Sequence, residues 1–383
     1  MHLSQLSVRN FRSLHAAEIS LKPLTLVIGP NGSGKTNLFK ALRFLHDAVA
    51  GDAREWKSYE SQIDDLLWYG REESWLKFSM MFAGGRIPLA KYRCAFKAGD
   101  FLEVAEEELN FGQEGFKRQG ERVVQSWDGK REAAARSANI LTLRDEGPSV
   151  KSYSLVYRHI SGWRFFEIDP KLARAGHFVP EDPKEVPPLE ADGANLSAFL
   201  YGLQRLRPED LDAVTEAVGR SIELPERVLV EHDAERGGSQ ARYWFTEAPF
   251  GDRLVPPESM SDGTIRLLAH LALLLADRSV PFACLEEPDS GLHPKLMLPL
   301  ADALRQAVQI ETVDGTERQV LVTTHSPELM DCFDLAGEKD YLQVYVTERD
   351  ETGRTRFVPV TAVEFAPWLE RYRLGEAVRR RFV

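Results

Sequence analysis

The sequence predicts an α/β fold with an antiparallel, β-rich amino-terminal lobe and an α/β carboxy-terminal lobe, and three observations predict it. The apolar stretch Leu24-Thr25-Leu26-Val27-Ile28 runs into a glycine-rich loop and then a helical pattern. Short strand patterns separated by turn residues fill residues 76–127. Beyond Ser261, helix and strand patterns alternate, as expected for a sheet covered by helices.

Taken in order, residues 3–8, 18–21 and 24–28 read as strands, and 35–50 as a helix with Leu38, Ala41, Leu42 and Leu45 on one face. Residues 76–82, 92–96 and 101–111 read as further strands, broken at Gly84-Gly85, at Ala98-Gly99-Asp100 and through 112–120. Residues 115–136 carry Lys117, Arg118, Arg122, Lys130, Arg131 and Arg136 with few apolar anchors, and read as a solvated excursion. Pro183, Pro187 and Pro188 mark 181–189 as a connector, so a single composite head over 1–383 divides into lobes at 1–190 and 191–383. Asn195 opens a helix bearing Leu196, Phe199, Leu200 and Leu203, and Pro208 opens another. Strands near 228–231 and 243–246 follow, then a helix at 265–276, a strand at 282–285, a helix at 295–309 and a strand at 319–323.

With 383 residues, 43% hydrophobic and 28% charged, the chain is long enough to bury a full core. Its net charge of −11 argues against a surface that grips nucleic acid everywhere and leaves room only for local basic patches, such as Arg371, Arg373, Arg379, Arg380 and Arg381. The three cysteines, Cys94, Cys284 and Cys332, are widely spaced, which suits buried fillers in a reducing compartment. The longest strongly apolar helical run, 265–276, is too short to cross a bilayer, so a cytoplasmic protein without membrane partners is expected.

The run Gly29-Pro30-Asn31-Gly32-Ser33-Gly34-Lys35-Thr36 stands between strand and helix in the order that phosphate binding requires. Glycines let backbone N–H groups turn inward on a triphosphate, the helix start adds a positive dipole end, and the Lys35 ammonium reaches the terminal phosphates. Thr36 is expected to hold Mg2+ through its hydroxyl, and Asn31, Gly32, Ser33, Gly34 and Asn37 to line the nucleotide. ATP or GTP is the expected ligand.

A second element agrees with the first. The buried-strand run Phe282-Ala283-Cys284-Leu285 ends in Glu286-Glu287, which sets two carboxylates at the carboxyl edge of a sheet. Glu286 is expected to hold the metal and Glu287 to orient and deprotonate the attacking water. Val320-Leu321-Val322 ends in Thr323-Thr324-His325-Ser326, so His325 reaches the same kind of edge and can sense the γ-phosphate. Ser261-Asp262-Gly263-Thr264 opens another helix and offers a second anion-binding amino terminus.

The ordered set of Asn10-Phe11-Arg12-Ser13-Leu14, the phosphate loop, Asp192-Gly193-Ala194-Asn195-Leu196, Ser261-Asp262-Gly263-Thr264, Glu286-Glu287-Pro288, Asp289-Ser290-Gly291-Leu292-His293-Pro294 and Thr324-His325-Ser326-Pro327 resembles the ABC-type ATPases. The likeness is in particular to the RecF, SMC and OLD-like branch of AAA-family ATPases. The resemblance implies a P-loop NTPase of ABC and SMC-head type that hydrolyses ATP with Mg2+. It implies a head-to-tail homodimer sandwiching two nucleotides, with Ser261 and the Gly263 backbone meeting the partner copy's γ-phosphate. Asp289 to His293 would line that interface, and Arg12 would approach the nucleotide of its own chain. It further implies work on DNA in repair or phage defence, or timing of a separately encoded effector such as a Toprim-like nuclease.

Some positions depart from the pattern. Asp262 stands where transporters have glycine, Glu286 where they have aspartate, and Gln62 is the one candidate for a glutamine loop. No coiled-coil arm separates Thr36 from Ser261, and the chain after Ser326 lacks a Toprim-type acidic pattern. These departures disfavour a transporter subunit. A small-molecule kinase sharing only the loop would not require Ser261, Glu287 and His325 together.

Overall fold

A computed structural model describes residues 1–382 apart from 52, 61–62, 69–73, 85–88, 126–130, 136, 139, 148, 222–226, 234–239, 247–252, 314 and 370. Gln62, Lys130 and Arg136 therefore lie outside the described residues. The chain divides into two compact units, one formed by Met1–Trp163 with Lys339–Glu364 and the other by Arg164–Glu338 with Phe365–Arg381.

The first unit begins with β1 (His2–Phe11), β2 (Leu14–Ser20), β3 (Leu24–Ile28) and α1 (Lys35–Ala50), followed by the short helices α2 (Ala53–Glu60) and α3 (Ile63–Leu66). A meander follows: β4 (Trp75–Ala83), β5 (Ala90–Ala98), β6 (Leu102–Phe111), β7 (Glu114–Gln119), β8 (Arg122–Gln125) and β9 (Arg131–Ala134). With β2 and β1 at its other edge, it makes an eight-stranded sheet in the order β2-β1-β4-β5-β6-β7-β8-β9. Alternation sets its two faces, for β4 buries Leu76, Phe78, Met80 and Phe82 and turns Trp75, Lys77, Ser79 and Met81 outward. The buried face closes on α1, where Phe44 packs 5.8 Å from Phe11, 5.6 Å from Phe78 and 5.2 Å from Phe96 between ring centroids. Each such ring contributes about 2–3 kcal/mol through area removed from water. Helices α4 (Thr142–Glu146) and α5 (Lys151–Ser161) end this part of the unit.

The described part of 115–136 is not a solvated excursion, because β7, β8 and β9 run through it. Their period-2 signal is hidden by an inward arginine. Arg118 is 1% exposed and donates to the carbonyls of Gly120, Ile140, Ser137 and Ala138, which fastens the chain beyond β9 to the sheet. The break expected through 112–120 likewise contains β7, whose Gly115 lies so close to Leu109 that a Cβ there would fall 2.0 Å from its carbonyl oxygen.

A buried carboxylate does comparable work nearby. Glu107 accepts from the Tyr92 hydroxyl at 2.8 Å and from the N–H groups of Thr142 and Leu143 at 2.6 and 2.9 Å. Burial pushes its carboxyl up, and these donors pull it back. The first turn of α4 is thereby capped from the sheet.

The second unit carries β10 (Trp163–Phe166), α6 (Pro170–Ala173), β11 (His177–Phe178), α7 (Leu196–Leu206), α8 (Pro208–Ser221), β12 (Arg227–Asp233), β13 (Gln240–Thr246) and β14 (Leu254–Val255). Residues 181–189 belong to this unit, where the Leu189 N–H donates to Asp277. Helix α9 (Asp262–Ala276) is buried along nearly its whole length, as its almost unbroken apolar sequence demands. The fully buried Arg318 donates to the carbonyls of Leu273 and Leu274 and satisfies the carboxyl end of α9. Strand β15 (Phe282–Glu286), helix α10 (Met297–Ala307), strand β16 (Gln319–Thr324) and helix α11 (Pro327–Met330) complete the segment, with β15 and β16 parallel.

The chain then returns to the first unit. Strand β17 (Leu342–Arg349) pairs in parallel with β3, and β18 (Thr355–Val360) pairs antiparallel with β17. Helices α12 (Ala362–Leu369) and α13 (Leu374–Phe382) end the described chain. Among the described residues no helix is long and apolar enough to cross a membrane.

Glu107→Leu removes an acceptor from three buried donors and should lower unfolding free energy by roughly 3 kcal/mol or more in urea denaturation, whereas Glu107→Gln should cost less. A loss below about 1 kcal/mol for the leucine variant would contradict this role.

Candidate nucleotide site

The phosphate loop is built in the first unit from β3, every residue of which is buried, and from α1. Gly32 and Gly34 take φ of 80° and 108°, the left-handed region that side chains resist. A Cβ on Gly34 would stand 2.0 Å from Thr355 Oγ1, and one on Gly29 would stand 2.2 Å from Thr347 Oγ1. A Cβ on Gly32 would meet nothing within 4 Å. The loop is thus moulded from one side and open on the other, where Asn31, Gly32 and Thr36 are exposed.

Lys35 is buried and folds back over the loop, with Nζ donating to the carbonyls of Gly29 at 2.7 Å and Pro30 at 3.2 Å. Ser33 turns its side chain away, toward Thr347 Oγ1 at 2.6 Å. Asn37 does the same, donating from Nδ2 to Ser13 Oγ at 2.7 Å. Arg12 occupies the tight turn between β1 and β2 with φ of 50°, its N–H held by the Leu66 carbonyl and its buried Nε lacking a hydrogen-bond partner among the described residues.

The acids stand in the second unit at the end of β15, where Glu286 lies opposite Thr323 in the parallel register. Glu287 leaves the strand with φ of 44°, a left-handed conformation costing about 1–3 kcal/mol that its surroundings must hold. Its N–H donates to the Thr323 carbonyl at 3.0 Å, and Ser290 closes the turn by donating to the Glu287 carbonyl at 2.9 Å. The twist brings Glu287 Oε2 to 3.4 Å from His325 Nδ1, with side chains 32% and 46% exposed, so both groups remain open to a ligand. Behind them Asp289 is 4% exposed; burial pushes its carboxyl up and the Thr324 hydroxyl draws it back. Asp289 and Leu292 face inward, whereas Gly291 and His293 are exposed.

Ser261 is the exposed cap of α9, its Oγ accepting from the Thr264 N–H at 3.1 Å. Asp262 is paired with Arg174 at 2.6 Å, and the same guanidinium donates to the carbonyls of Pro257 and Met260, which fixes the approach to the helix. Gly263 leaves space for the Gly291 carbonyl, 2.9 Å from where a Cβ would sit. Sequence reasoning missed Thr347, Thr355 and Arg174. The two threonines lie in strands that no motif marks, and Arg174 is remote from the helix it supports.

Strand, moulded loop, buried lysine and strand-end acids define a P-loop ATPase of mixed α/β architecture with a large antiparallel sheet. Solved structures of that kind share the fold: an SMC head bound to the C-winged helix domain of ScpA covers 95% of this chain and 99% of its own at a TM-score of 0.57 and 14% identity. An SMC head with an extended coiled coil bound to the C-terminal domain of ScpA, from Pyrococcus furiosus, gives 0.53 at 15% identity over 96% and 98%. Among curated proteins, the chain is 38% identical to the DNA replication and repair protein RecF of Vibrio vulnificus (strain CMCP6) over 18% of this chain and 20% of that protein. It is 44% identical to the OLD nuclease of Thermus scotoductus over 15% of this chain and 10% of that protein. The RecF of Haemophilus ducreyi is 25% identical over 63% of this chain and 64% of its own length. In all three the match spans less than two thirds of the relative. The chain belongs to the family described as "AAA domain, putative AbiEii toxin, Type IV TA system", whose model matches residues 109–331, and an AAA ATPase domain matches residues 1–74.

Proposed function

We propose that the chain binds ATP with Mg2+, hydrolyses it as a head-to-tail homodimer, and acts on nucleic acid in repair or in defence against invading genomes. The moulded phosphate loop carries this reading. Gly32 and Gly34 hold a backbone shape that side chains would forbid, and Lys35 hangs over it from two loop carbonyls. Family membership supports ATP as the nucleotide.

In this reading Asn31, Gly32, Ser33 and Gly34 wrap the phosphates with backbone N–H groups, and Asn37 and Arg12 fix the loop's flank. Thr36, exposed at the helix start, and Glu286, at its strand end, each offer the kind of oxygen that Mg2+ takes, one or two from protein, beside substrate phosphates. When bound, the metal neutralises charge on those phosphate oxygens. Glu287 accepts a proton from water as the water oxygen bonds to the γ-phosphorus and the bond to the ADP oxygen breaks. Lys35 and His325 stabilise charge on the transferring group. Ser261 and the Gly263 backbone contact the γ-phosphate held by a second copy.

The nucleic-acid part rests on charge. The outer face of the eight-stranded sheet holds a groove of about 730 Å3 lined by Arg9, Lys77, Lys91, Arg93 and Lys117, among which Glu18, Glu106 and Glu108 are interspersed. Arg9 lies directly opposite Lys77 in the β1–β4 register. Arg9 is also 3.8 Å from the Glu18 carboxylate and Lys77 lies over the Trp75 ring, so an anion in the groove would add to contacts already made.

Lys35→Ala should weaken ATP binding about 30-fold or more by calorimetric titration with the fold intact; unchanged affinity would refute the cradle. Arg9→Glu with Lys77→Glu should weaken duplex DNA binding about tenfold at ~0.1 M salt and flatten its salt dependence, with ATP affinity unaltered. DNA binding equal to wild type would remove the groove from the account.

A further inference from the structure

The phosphate loop is held by a chain of hydroxyl groups whose proton directions can be assigned. Thr355 Oγ1 donates to the Ser33 carbonyl at 2.9 Å and Thr347 Oγ1 to the Ile28 carbonyl at 3.1 Å, so each has spent its only proton. Thr355 Oγ1 must then accept from Ser13 Oγ at 2.7 Å, and Thr347 Oγ1 from Ser33 Oγ at 2.6 Å. Ser13 Oγ in turn accepts from Asn37 Nδ2 at 2.7 Å. One line therefore runs Asn37 to Ser13 to Thr355 to the Ser33 carbonyl, and a second runs Ser33 to Thr347 to the Ile28 carbonyl. Ser13, Ser33, Thr347 and Thr355 are each 4% exposed or less, so water cannot replace a missing member without rearrangement.

The geometry has a consequence for ligand binding. A trans peptide directs its C=O and the following N–H to opposite sides. With the Ser33 carbonyl anchored on Thr355, the Gly34 N–H is turned away from β18, toward the open side of the loop. Ser13 adjoins Arg12 and is tied to β18 a second time, by the Thr355 N–H donating to its carbonyl at 2.8 Å. A single residue of β18 thus fixes the loop's peptide plane and the turn that carries Arg12.

We propose that Thr355, backed by Thr347, is a positioning residue for nucleotide binding: through its one hydroxyl it sets the phosphate loop and the Arg12 turn in a common register. The proposal rests on reading the loop as a nucleotide cradle. Thr355→Val keeps the shape against Gly34 and removes only the donor, whereas Thr355→Ser keeps the donor. Calorimetric titration of the full chain with ATP should show affinity about tenfold weaker for valine and within about twofold of wild type for serine. ATP affinity of the folded valine variant equal to wild type would overturn the proposal, whatever its melting temperature, as would a serine variant as weak as valine. Ser13→Ala breaks the same line while leaving the Gly34 wall intact, and serves if the valine variant does not fold. A loss of about threefold supports the proposal, and an unchanged affinity overturns it. If Lys35→Ala weakens binding as expected while these variants do not, the cradle stands and the relay falls; a wild-type chain that binds no ATP removes both.

Discussion

The shape of the backbone from Gly29 to Gly34 is the constraint on which the rest depends. Left-handed φ at Gly32 and Gly34 is open to glycine and closed to other side chains, and threonines of β17 and β18 lie so close to Gly29 and Gly34 that only glycine fits there. Local sequence permits the loop and distant sequence enforces it. The strands that enforce it return from beyond residue 338 to pair beside β3, so the first unit is complete only with them.

The second unit shows the same division between a permissive motif and a support elsewhere. Glu287 meets His325 because its backbone is twisted into a costly conformation, and Thr323 on the neighbouring strand holds that twist through the Glu287 N–H. Ser261 stands at the tip of α9 because Arg174 pins the preceding turn and Arg318 satisfies the far end of the helix. Both arginines bond backbone carbonyls, Arg174 pairing with Asp262 as well, so their role is in placing backbone rather than in chemistry.

Much of this was legible in the sequence where physical signals are local. Period-2 alternation around 76–82, the apolar run at 24–28 and the helix with Leu38, Ala41, Leu42 and Leu45 facing inward all correspond to elements of the structure. So do the strand ends at Glu286 and His325, since an apolar run that stops at polar residues marks a sheet edge. The meander beyond 112 was not legible, because Arg118 occupies the inward position next to Phe116 where alternation expects an apolar side chain, and Gly115 brings no side chain to the pattern. Thr347 and Thr355 were equally hidden. An inward threonine in a strand reads as ordinary β-propensity until the loop it touches, more than 300 residues away, is brought beside it.

The account joins two half-sites through one proposition, that a γ-phosphate is shared between two copies of the chain. Sedimentation velocity of the Glu287→Gln variant with saturating ATP and Mg2+ tests it most directly. The account predicts a stable dimer that persists while ATP is unhydrolysed and reverts to monomer with ADP. A variant that binds ATP yet sediments as a monomer, or one that turns ATP over at the wild-type rate, would contradict it.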